Sequence, residues 1–175
     1  MVVDNLHNLH RYAMQSNNEK IYLHNFAQNL NDGSLVLEIG TNKGGSTAIL
    51  ANANSKINIH SIDLYSSNEF SYEENSNNLS CFDNVSLYKG NSFEDFKTWT
   101  AKLDVYFEDG AHENPALKKS MEQWIPLLRI GGFMLVHDNN LHFPDVGNNI
   151  NHCVSTGQFR MIEQIDSLSV LQKVE

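Results

Sequence analysis

Features of secreted and membrane proteins are scarce in this 175-residue sequence. Its two cysteines, Cys81 and Cys153, lie far apart, are too few for a disulfide framework and do not have the spacing of metal ligands. The first residues lack the basic and apolar regions of a signal peptide, and no run of about 18 apolar residues occurs. We therefore expect a soluble, cytoplasmic protein with reduced cysteines.

Positive charge is also scarce in the chain. There are 12 Lys and Arg against 21 Asp and Glu, so the formal net charge is -9 at pH 7. Proteins that bind nucleic acid or anionic membranes without a specific pocket use a surplus of Lys and Arg to neutralise phosphate groups. We therefore expect neither nucleic acid nor a membrane as a partner.

The hydrophobic pattern predicts one α/β domain over residues 1–175, composed of an N-terminal helical segment (1–33) and an α/β core (34–175). Short aliphatic or alternating runs predict strands at 35–39, 56–63, 84–90, 101–109 and 133–137. Two further alternating runs, Phe159–Ile165 and Leu168–Val174, are joined at Asp166 and Ser167 as in a tight hairpin. This order predicts a parallel sheet to which the hairpin adds an antiparallel strand.

The connections between the strands carry helical patterns. The predicted helices are two within 5–30, one beginning at Ser46, a polar one within 65–84, one marked by Phe93, Phe96 and Trp99, one marked by the stripe Leu117, Met121, Trp124 and Leu128, and one within 143–157. Gly131 and Gly132 are expected to form the turn that leads into the fifth strand.

The segment Leu35–Thr47 is the most informative part of the sequence. A buried strand that contains Glu38 runs into a turn with Gly40, Gly44 and Gly45, and then into a helix of small residues. Glycines permit a tight turn and a close approach of the backbone to a ligand, and open α/β sheets bind ligands outside the carboxyl ends of their strands. The turn is therefore either a ligand site or an ordinary connection between a strand and a helix.

Asp63, at the end of the second predicted strand, follows Gly40 by 23 positions (63 − 40). This spacing is close to the ~20 residues that separate a nucleotide-binding turn from the acidic residue that accepts hydrogen bonds from ribose hydroxyls. Capping of the turn that follows is the alternative role for Asp63.

Acidic and polar side chains also end the later strands. Asp109 ends the fourth strand, and Asp138 and Asn139 follow the fifth. Because the carboxyl ends of parallel strands converge on one crevice, we expect these side chains to be neighbours. Two carboxylates and one amide suit an octahedral divalent cation such as Mg²⁺. The alternative is that Asp138 and Asn139 cap the next helix.

Four segments carry a resemblance to a known family: Glu38-Ile-Gly-Thr-Asn-Lys-Gly-Gly-Ser46, Phe107-Glu-Asp-Gly-Ala-His112, Trp124-Ile-Pro-Leu-Leu-Arg-Ile-Gly-Gly132 and Val136-His-Asp-Asn139. They resemble the class I S-adenosylmethionine-dependent methyltransferases, and in particular the small bacterial enzymes related to macrocin and mycinamicin sugar O-methyltransferases. The metal arrangement is similar to that of catechol-type O-methyltransferases. The resemblance implies a three-layer, Rossmann-like fold whose seven-stranded, mostly parallel sheet has the order 3-2-1-4-5-7-6, with the last strand antiparallel.

The resemblance also implies roles for individual residues. S-adenosylmethionine would contact the glycine turn through its methionine moiety, Asp63 through its ribose, and Asn91 and Ser92 through its adenine. The implied cofactor-binding residues are Glu38, Gly40, Thr41, Asn42, Gly44, Ser46, Asp63, Leu64, Asn91, Ser92 and Asp109. Asp109, Asp138 and Asn139 would hold Mg²⁺ or another divalent cation, which implies an acceptor with one or two hydroxyl groups.

Two histidines are candidates for the general base that deprotonates the acceptor. The macrolide-sugar enzymes carry a histidine after their metal-binding acidic pair, where this chain has His142, and the catechol-type enzymes carry a lysine where this chain has His112. The resemblance favours His142. His137 precedes Asp138 on the predicted strand and is therefore expected to point to the opposite face, in a structural role.

The leading hypothesis is a metal-dependent O-methyltransferase that acts on a hydroxylated small molecule. A nicotinamide-dependent oxidoreductase is the first alternative, although the turn lacks the Gly-x-Gly-x-x-Gly pattern and the terminal hairpin is not expected in such an enzyme. The second alternative is a non-catalytic S-adenosylmethionine-binding protein of the same fold. The N-terminal helices could also pack across a homodimer.

Overall fold

The computed structural model describes residues 12–66 and 70–175 of the chain. The helices are α1 (Asn17–Gln28), α2 (Gly45–Ala53), α3 (Tyr72–Leu79), α4 (Ala116–Trp124) and α5 (Pro144–Ser155), with a 3₁₀ turn at Ile125–Leu127. The strands are β1 (Leu35–Ile39), β2 (Asn58–Asp63), β3 (Val85–Lys89), β4 (Leu103–Glu108), β5 (Leu128–Val136), β6 (Phe159–Ile165) and β7 (Leu168–Lys173). The first of the two helices predicted within 5–30 falls largely outside the described residues. No helix in the described ranges combines the length and apolarity needed to cross a membrane.

All seven strands belong to one sheet, in the order β3-β2-β1-β4-β5-β7-β6. Strands β1 to β5 pair in parallel, and β7 is antiparallel to both of its neighbours. In the central strands Ile39 lies beside Ile62 and Glu108, and Glu108 lies beside Val136. The segments that leave these strands therefore begin at one edge of the sheet. The predicted fold class, strand order and antiparallel last strand are confirmed.

Hydrophobic side chains on the two faces of the sheet form separate cores, which gives three layers. Because alternate residues of a strand point to opposite faces, Val36 packs with α1 and α2, whereas Leu37 packs with α4 and α5. Trp124 and Tyr106 are the largest fully buried side chains of the core that contains Leu37. Each fully buried large apolar side chain contributes roughly 1.5–3 kcal/mol.

Local capping signals set the starts of two helices. Ser16 caps α1 and Ser71 caps α3, and in each case the side chain of the glutamate three residues later, Glu19 or Glu74, accepts a hydrogen bond from the backbone of the cap. This reciprocal pairing satisfies backbone donors that a helix start otherwise leaves free. The polar helix predicted within 65–84 is thereby confirmed as α3.

The helix predicted from Phe93, Phe96 and Trp99 is wrong, because residues 91–100 contain only turns and irregular backbone. Trp99 packs edge-on against Trp124 with ring centroids 5.6 Å apart, and its indole nitrogen donates to the carbonyl of Ala101. Trp99 is therefore held by these tertiary and local contacts and not by a helix.

The expected turn at Gly131 and Gly132 is also wrong, because both glycines lie inside β5. The register between β4 and β5 shifts between Leu103 and Val105, and Gly131 has φ of 82°. The glycines accommodate an irregularity of the strand, so β5 begins at Leu128.

Candidate active site

The turn after β1 requires glycine because it lies against the end of β4. Gly40 has φ of 96°, and a Cβ atom there would overlap the backbone carbonyl of Asp109. Gly44, with φ of 78°, is the cap residue of α2, and its carbonyl accepts a hydrogen bond from the amide of Ala48. The glycine turn and the Asp109 loop are therefore in direct backbone contact.

Glu38 lies beneath this turn and is fully buried. Its carboxyl group accepts hydrogen bonds from Ser46 (2.5 Å), Ser61 (2.6 Å) and Thr47. Burial raises the pKa of Glu38 to about 7, although the three hydroxyl donors act in the opposite direction. The side chain thus ties the start of α2 to β1 and β2.

Asp63 joins the glycine turn to the loop that follows β2. Its two carboxylate oxygens accept from the backbone amides of Asn42 and Tyr65, each at 2.7 Å. The side chain of Asn75, in α3, donates to the carbonyl of Asn42 and supports the turn from the other side. The acidic group predicted for ribose recognition is therefore held in a defined position.

A cavity of about 530 Å³ opens at the carboxyl ends of the parallel strands. Its apolar walls include Ile62, Phe70 and Phe93. Of the residues predicted for the site, Gly40, Asn42, Asp63, Leu64, Asn91, Ser92, Asp109 and His112 line it. Glu38, Thr41, Gly44 and Ser46 lie outside its wall and shape the turn that forms one side, with Thr41 hydrogen-bonded to Ser61 at 2.7 Å.

Glu108 is a buried acid in the cavity wall that the sequence analysis did not single out. The hydroxyls of Tyr106 and Ser120 donate to its carboxyl group, and the amide of Gly110 donates at 3.2 Å. Burial raises the pKa of Glu108 to about 7. Glu108 follows Tyr106 by two positions in β4, so both side chains point to the same face of the sheet. This alternation was the signal in the sequence that could have identified Glu108 as buried.

Asp109, His137 and Asp138 form a cluster beside the cavity. Nδ1 of His137 lies 2.9 Å from Oδ1 of Asp109 and 3.2 Å from Oδ2 of Asp138. Burial disfavours the charged ring, but the two carboxylates outweigh it and raise the pKa of His137 to about 11. The hydrogen bond from His112 and the neighbouring His137 hold the pKa of Asp138 well below its usual range. The cluster is strongly polar and largely shielded from solvent.

The expected orientation of His137 is therefore wrong. Regular β5 ends at Val136, and Asp138 has φ of 60°, so the alternation of side chains no longer applies at this point. The backbone amide of His137 still donates to the carbonyl of Glu108, at 3.0 Å. The imidazole consequently reaches the same cluster as Asp109.

The N-terminal part of the chain supplies two further members that the sequence analysis missed. Nε2 of Gln15 donates to Oδ2 of Asp109 at 2.6 Å, and Oε2 of Glu19 lies 3.2 Å from Nε2 of His137. Both side chains are almost completely buried. Glu19 could be recognised only as a capping residue, since its contact with His137 joins positions 118 apart in the sequence.

Asn139 is directed away from the cluster. Its amide nitrogen donates to Ser169 in β7 at 2.9 Å, and its amide oxygen lies against Gly147 in α5. Within residues 12–66 and 70–175, no hydrogen bond joins Asn139 to Asp109 or Asp138. The structure thus brings together two of the three predicted metal ligands.

The two candidate bases occupy different environments. Nε2 of His112 lies 3.0 Å from Oδ2 of Asp138, and its ring packs on Phe143 with centroids 4.5 Å apart. His142 is exposed in the loop before α5 and does not line the cavity. The hydrogen bond that His112 donates to Asp138 raises the pKa of His112.

Comparison with known families assigns the chain to a class. A family model described as a methyltransferase domain matches residues 37–139, which is more than half of the sequence. The chain belongs to this methyltransferase family. The match covers the glycine turn, Asp63, Asp109 and Asp138, and it confirms the resemblance to class I S-adenosylmethionine-dependent methyltransferases. The nicotinamide-dependent alternative is not supported.

Solved methyltransferase structures share the fold. A Staphylococcus aureus protein to which caffeoyl-CoA O-methyltransferase activity is provisionally assigned matches 99% of this chain and 91% of its own, with 20% identity and a TM-score of 0.75. An rRNA methylase from Streptococcus thermophilus matches 93% of this chain and 100% of its own, with 18% identity and a TM-score of 0.69. The methyltransferase MycE of the mycinamycin pathway, in complex with Mg and SAH, matches 98% of this chain and 55% of its own, with 16% identity and a TM-score of 0.69.

Proposed function

We propose that this methyltransferase transfers a methyl group from S-adenosylmethionine to a hydroxyl oxygen of a small molecule, with the assistance of a divalent cation. One observation carries the proposal: a single cavity connects the glycine turn and Asp63 with Asp109 and His112. Such a transfer requires that one end of the cavity bind the nucleoside and that the other end carry acid and base groups.

The first end of the cavity fits the cofactor. Gly40 leaves room for close backbone approach, and the carboxylate of Asp63 keeps acceptor capacity beyond its two backbone partners. Asn91 and Ser92 line the wall on the side of β3, where the adenine would lie, and the turn from Gly40 to Ser46 would face the methionine moiety. Bound there, S-adenosylmethionine supplies an electrophilic methyl group on a sulfonium centre.

The second end contains the groups that would hold a cation and an acceptor. Asp109 and Asp138 carry carboxylate oxygens close to one another, and MycE, which shares the fold, was solved with Mg. A divalent cation there would lower the pKa of a coordinated hydroxyl group. Asp109 and Asp138 would thereby orient the acceptor for an in-line approach to the methyl group.

We assign His112 as the base, although the family resemblance favours His142. His112 lines the cavity, its ring is held between Asp138 and Phe143, and its position lies beside the acid cluster. In this role His112 accepts the proton of the acceptor hydroxyl. His142 is exposed and does not line the cavity.

A small-molecule acceptor is proposed over RNA, although an rRNA methylase shares the fold. The net charge of -9 opposes the approach of a polyanion. The cavity wall also contains more acidic than basic side chains: it includes Asp63, Glu108 and Asp109 and contains no Lys or Arg among the described residues.

The experiment is a calorimetric titration with S-adenosylhomocysteine, followed by turnover assays with radiolabelled S-adenosylmethionine and panels of catechols and sugars. Micromolar binding that Asp63→Asn weakens at least about tenfold is expected, since a hydrogen bond to a charged group contributes about 1.5–3 kcal/mol. Failure of the folded protein to bind would overturn the proposal. Binding without turnover of any acceptor would favour the non-catalytic alternative.

Histidine variants then test the base. His112→Asn is expected to lower kcat by about 10²–10⁴-fold while S-adenosylhomocysteine affinity changes little. His142→Asn is the matched control and should retain most of the activity. The reverse ranking would return the base to His142.

A further inference from the structure

Three potential ligand atoms converge beside the cavity, where Oδ2 of Asp138 also lies 3.0 Å from Nε2 of His112. Asp109, His137 and Asp138 each offer one ligand atom, and these three atoms all lie within 4.8 Å of one another. Two ligand atoms that are each about 2.1 Å from a cation, at right angles, are about 3 Å apart. The distances from His137 to the two aspartates, 2.9 and 3.2 Å, match this separation.

The imidazole nitrogen of this group is ion-paired with the two carboxylates but forms no regular hydrogen bond to either. Nδ1 of His137 is buried, points at both carboxylates and makes no hydrogen bond of normal geometry within the described part of the chain. The side chain of His137 is only 6% exposed. Because buried polar atoms nearly always have partners of regular geometry, a cation located between the three side chains would fit this nitrogen.

Groups behind the ligand atoms orient them as in protein metal sites. Metal-binding histidines usually donate their second N–H to a carboxylate, and Nε2 of His137 faces Oε2 of Glu19 at 3.2 Å. Glu19 is itself held by the amide and hydroxyl of Ser167, both at 2.8 Å. Gln15 occupies Oδ2 of Asp109, which leaves Oδ1 facing the histidine.

The third oxygen ligand implied by the family is not in this group. The side chain of Asn139 is engaged with Ser169 and packs beside Gly147. Imidazole nitrogen suits zinc and the later first-row transition metals, whereas Mg²⁺ prefers a shell of oxygen ligands. The donor set of this group therefore does not match the set implied for Mg²⁺.

We propose that Asp109, His137 and Asp138 form a cation site of one imidazole nitrogen and two carboxylate oxygens, and that this site selects zinc or a first-row transition metal over Mg²⁺. Glu19 is a positioning residue that directs Nδ1 of His137 into the site. The inference deepens the proposed function, on which it relies only for the role of the cation in methyl transfer. Cation binding itself can be measured without turnover.

The first experiment measures the cation preference of the purified, chelator-treated full-length chain. Zn²⁺, Co²⁺, Mn²⁺ and Mg²⁺ are titrated separately by calorimetry, with elemental analysis of the dialysed complexes. Zn²⁺ and Co²⁺ are expected to bind at least about tenfold more tightly than Mg²⁺. Mg²⁺ binding that equals or exceeds theirs would overturn the proposal, as would a folded protein that binds none of the four ions.

The second experiment identifies the ligand atom in the wild-type protein, so that it does not depend on a variant that folds. Pulsed electron paramagnetic resonance of the Mn²⁺ complex is expected to detect coupling to one imidazole nitrogen. A spectrum with water and oxygen ligands alone would contradict the assignment of His137.

Variants distinguish the proposed site, which has a histidine ligand, from a site with oxygen ligands only. His137→Gln should abolish Zn²⁺ binding, and Glu19→Gln should weaken it by about 10–100-fold, because loss of a carboxylate behind a ligand has this effect in metal sites. The exposed His152→Gln is the matched control, and Asn139→Ala should also keep its affinity. Loss of binding in Asn139→Ala with retention in His137→Gln would overturn the proposal.

Each variant is also titrated with S-adenosylhomocysteine and checked by far-ultraviolet circular dichroism. Cation binding without any methyl transfer would refute the proposed function and leave the site standing. Methyl transfer by a protein that binds Mg²⁺ more tightly than Zn²⁺ would support the proposed function and overturn the proposed cation site.

Discussion

At the residue scale, the carboxyl group of Glu38 links the turn to the pH dependence of stability. Its pKa in the folded protein is about 7, above the ordinary glutamate value of 4.5, so the folded state binds the proton more tightly than the unfolded state does. The contribution of Glu38 to stability is fully present below its pKa in the unfolded state. It is lost as the pH rises through its pKa in the folded state. We expect the free energy of unfolding to fall by about 2 kcal/mol between about pH 5 and about pH 8 through this group.

Urea denaturation of wild type and Glu38→Gln across that range checks this expectation. The hydroxyls around Glu38 can reorient to serve an amide, so the variant should fold and should lack this part of the pH dependence. Glu94→Gln, at an exposed acid in a turn, is the control and should follow the wild type. A constant difference between Glu38→Gln and wild type at all pH values would show that Glu38 does not titrate in this range.

At the element scale, α1 and α3 start with the same capping box but have different surroundings. The hydroxyl of Ser16 also donates to Asp166 at 2.5 Å, at the turn between β6 and β7, whereas Ser71 serves its own helix. Ser16→Ala should therefore cost about 1–2 kcal/mol and Ser71→Ala about 0.5–1 kcal/mol.

Chemical denaturation measures both variants, and hydrogen exchange locates the loss. Faster exchange in α1 and in the β6–β7 turn together is expected for Ser16→Ala, because Glu19 and Ser16 connect the two elements. Equal destabilisation by the two substitutions would mean that the contact with Asp166 contributes nothing to stability.

At the scale of the whole molecule, the net charge of -9 favours a small-molecule acceptor over rRNA, which the name of a structural neighbour indicates for that protein. We expect no binding of rRNA fragments in the micromolar range at about 0.15 M salt, and no methylation of them. Filter binding over a series of salt concentrations is the measurement. Tight binding that weakens steeply with salt would reveal a basic surface that overcomes the overall charge, and the small-molecule proposal would then fail.

The sequence by itself determined the strands and the edge at which the site lies. Strand β1 and the hairpin of β6 and β7 were predictable because their alternation and turn residues are local. The placement of Gly40, Asp63 and Asp109 at the cavity followed from their positions after parallel strands, since those strand ends must share one edge.

Only the tertiary structure decided which side chains meet in the acid cluster. Gln15 reaches Asp109 across 94 positions and Glu19 reaches His137 across 118, so no local pattern encodes either contact. The side of the sheet that His137 faces depended on where β5 ends, and Asn139 turned to Ser169 because β7 lies beside that loop. Local periodicity specifies elements, whereas the orientation of a side chain beyond the end of a strand depends on the neighbours that packing brings to it.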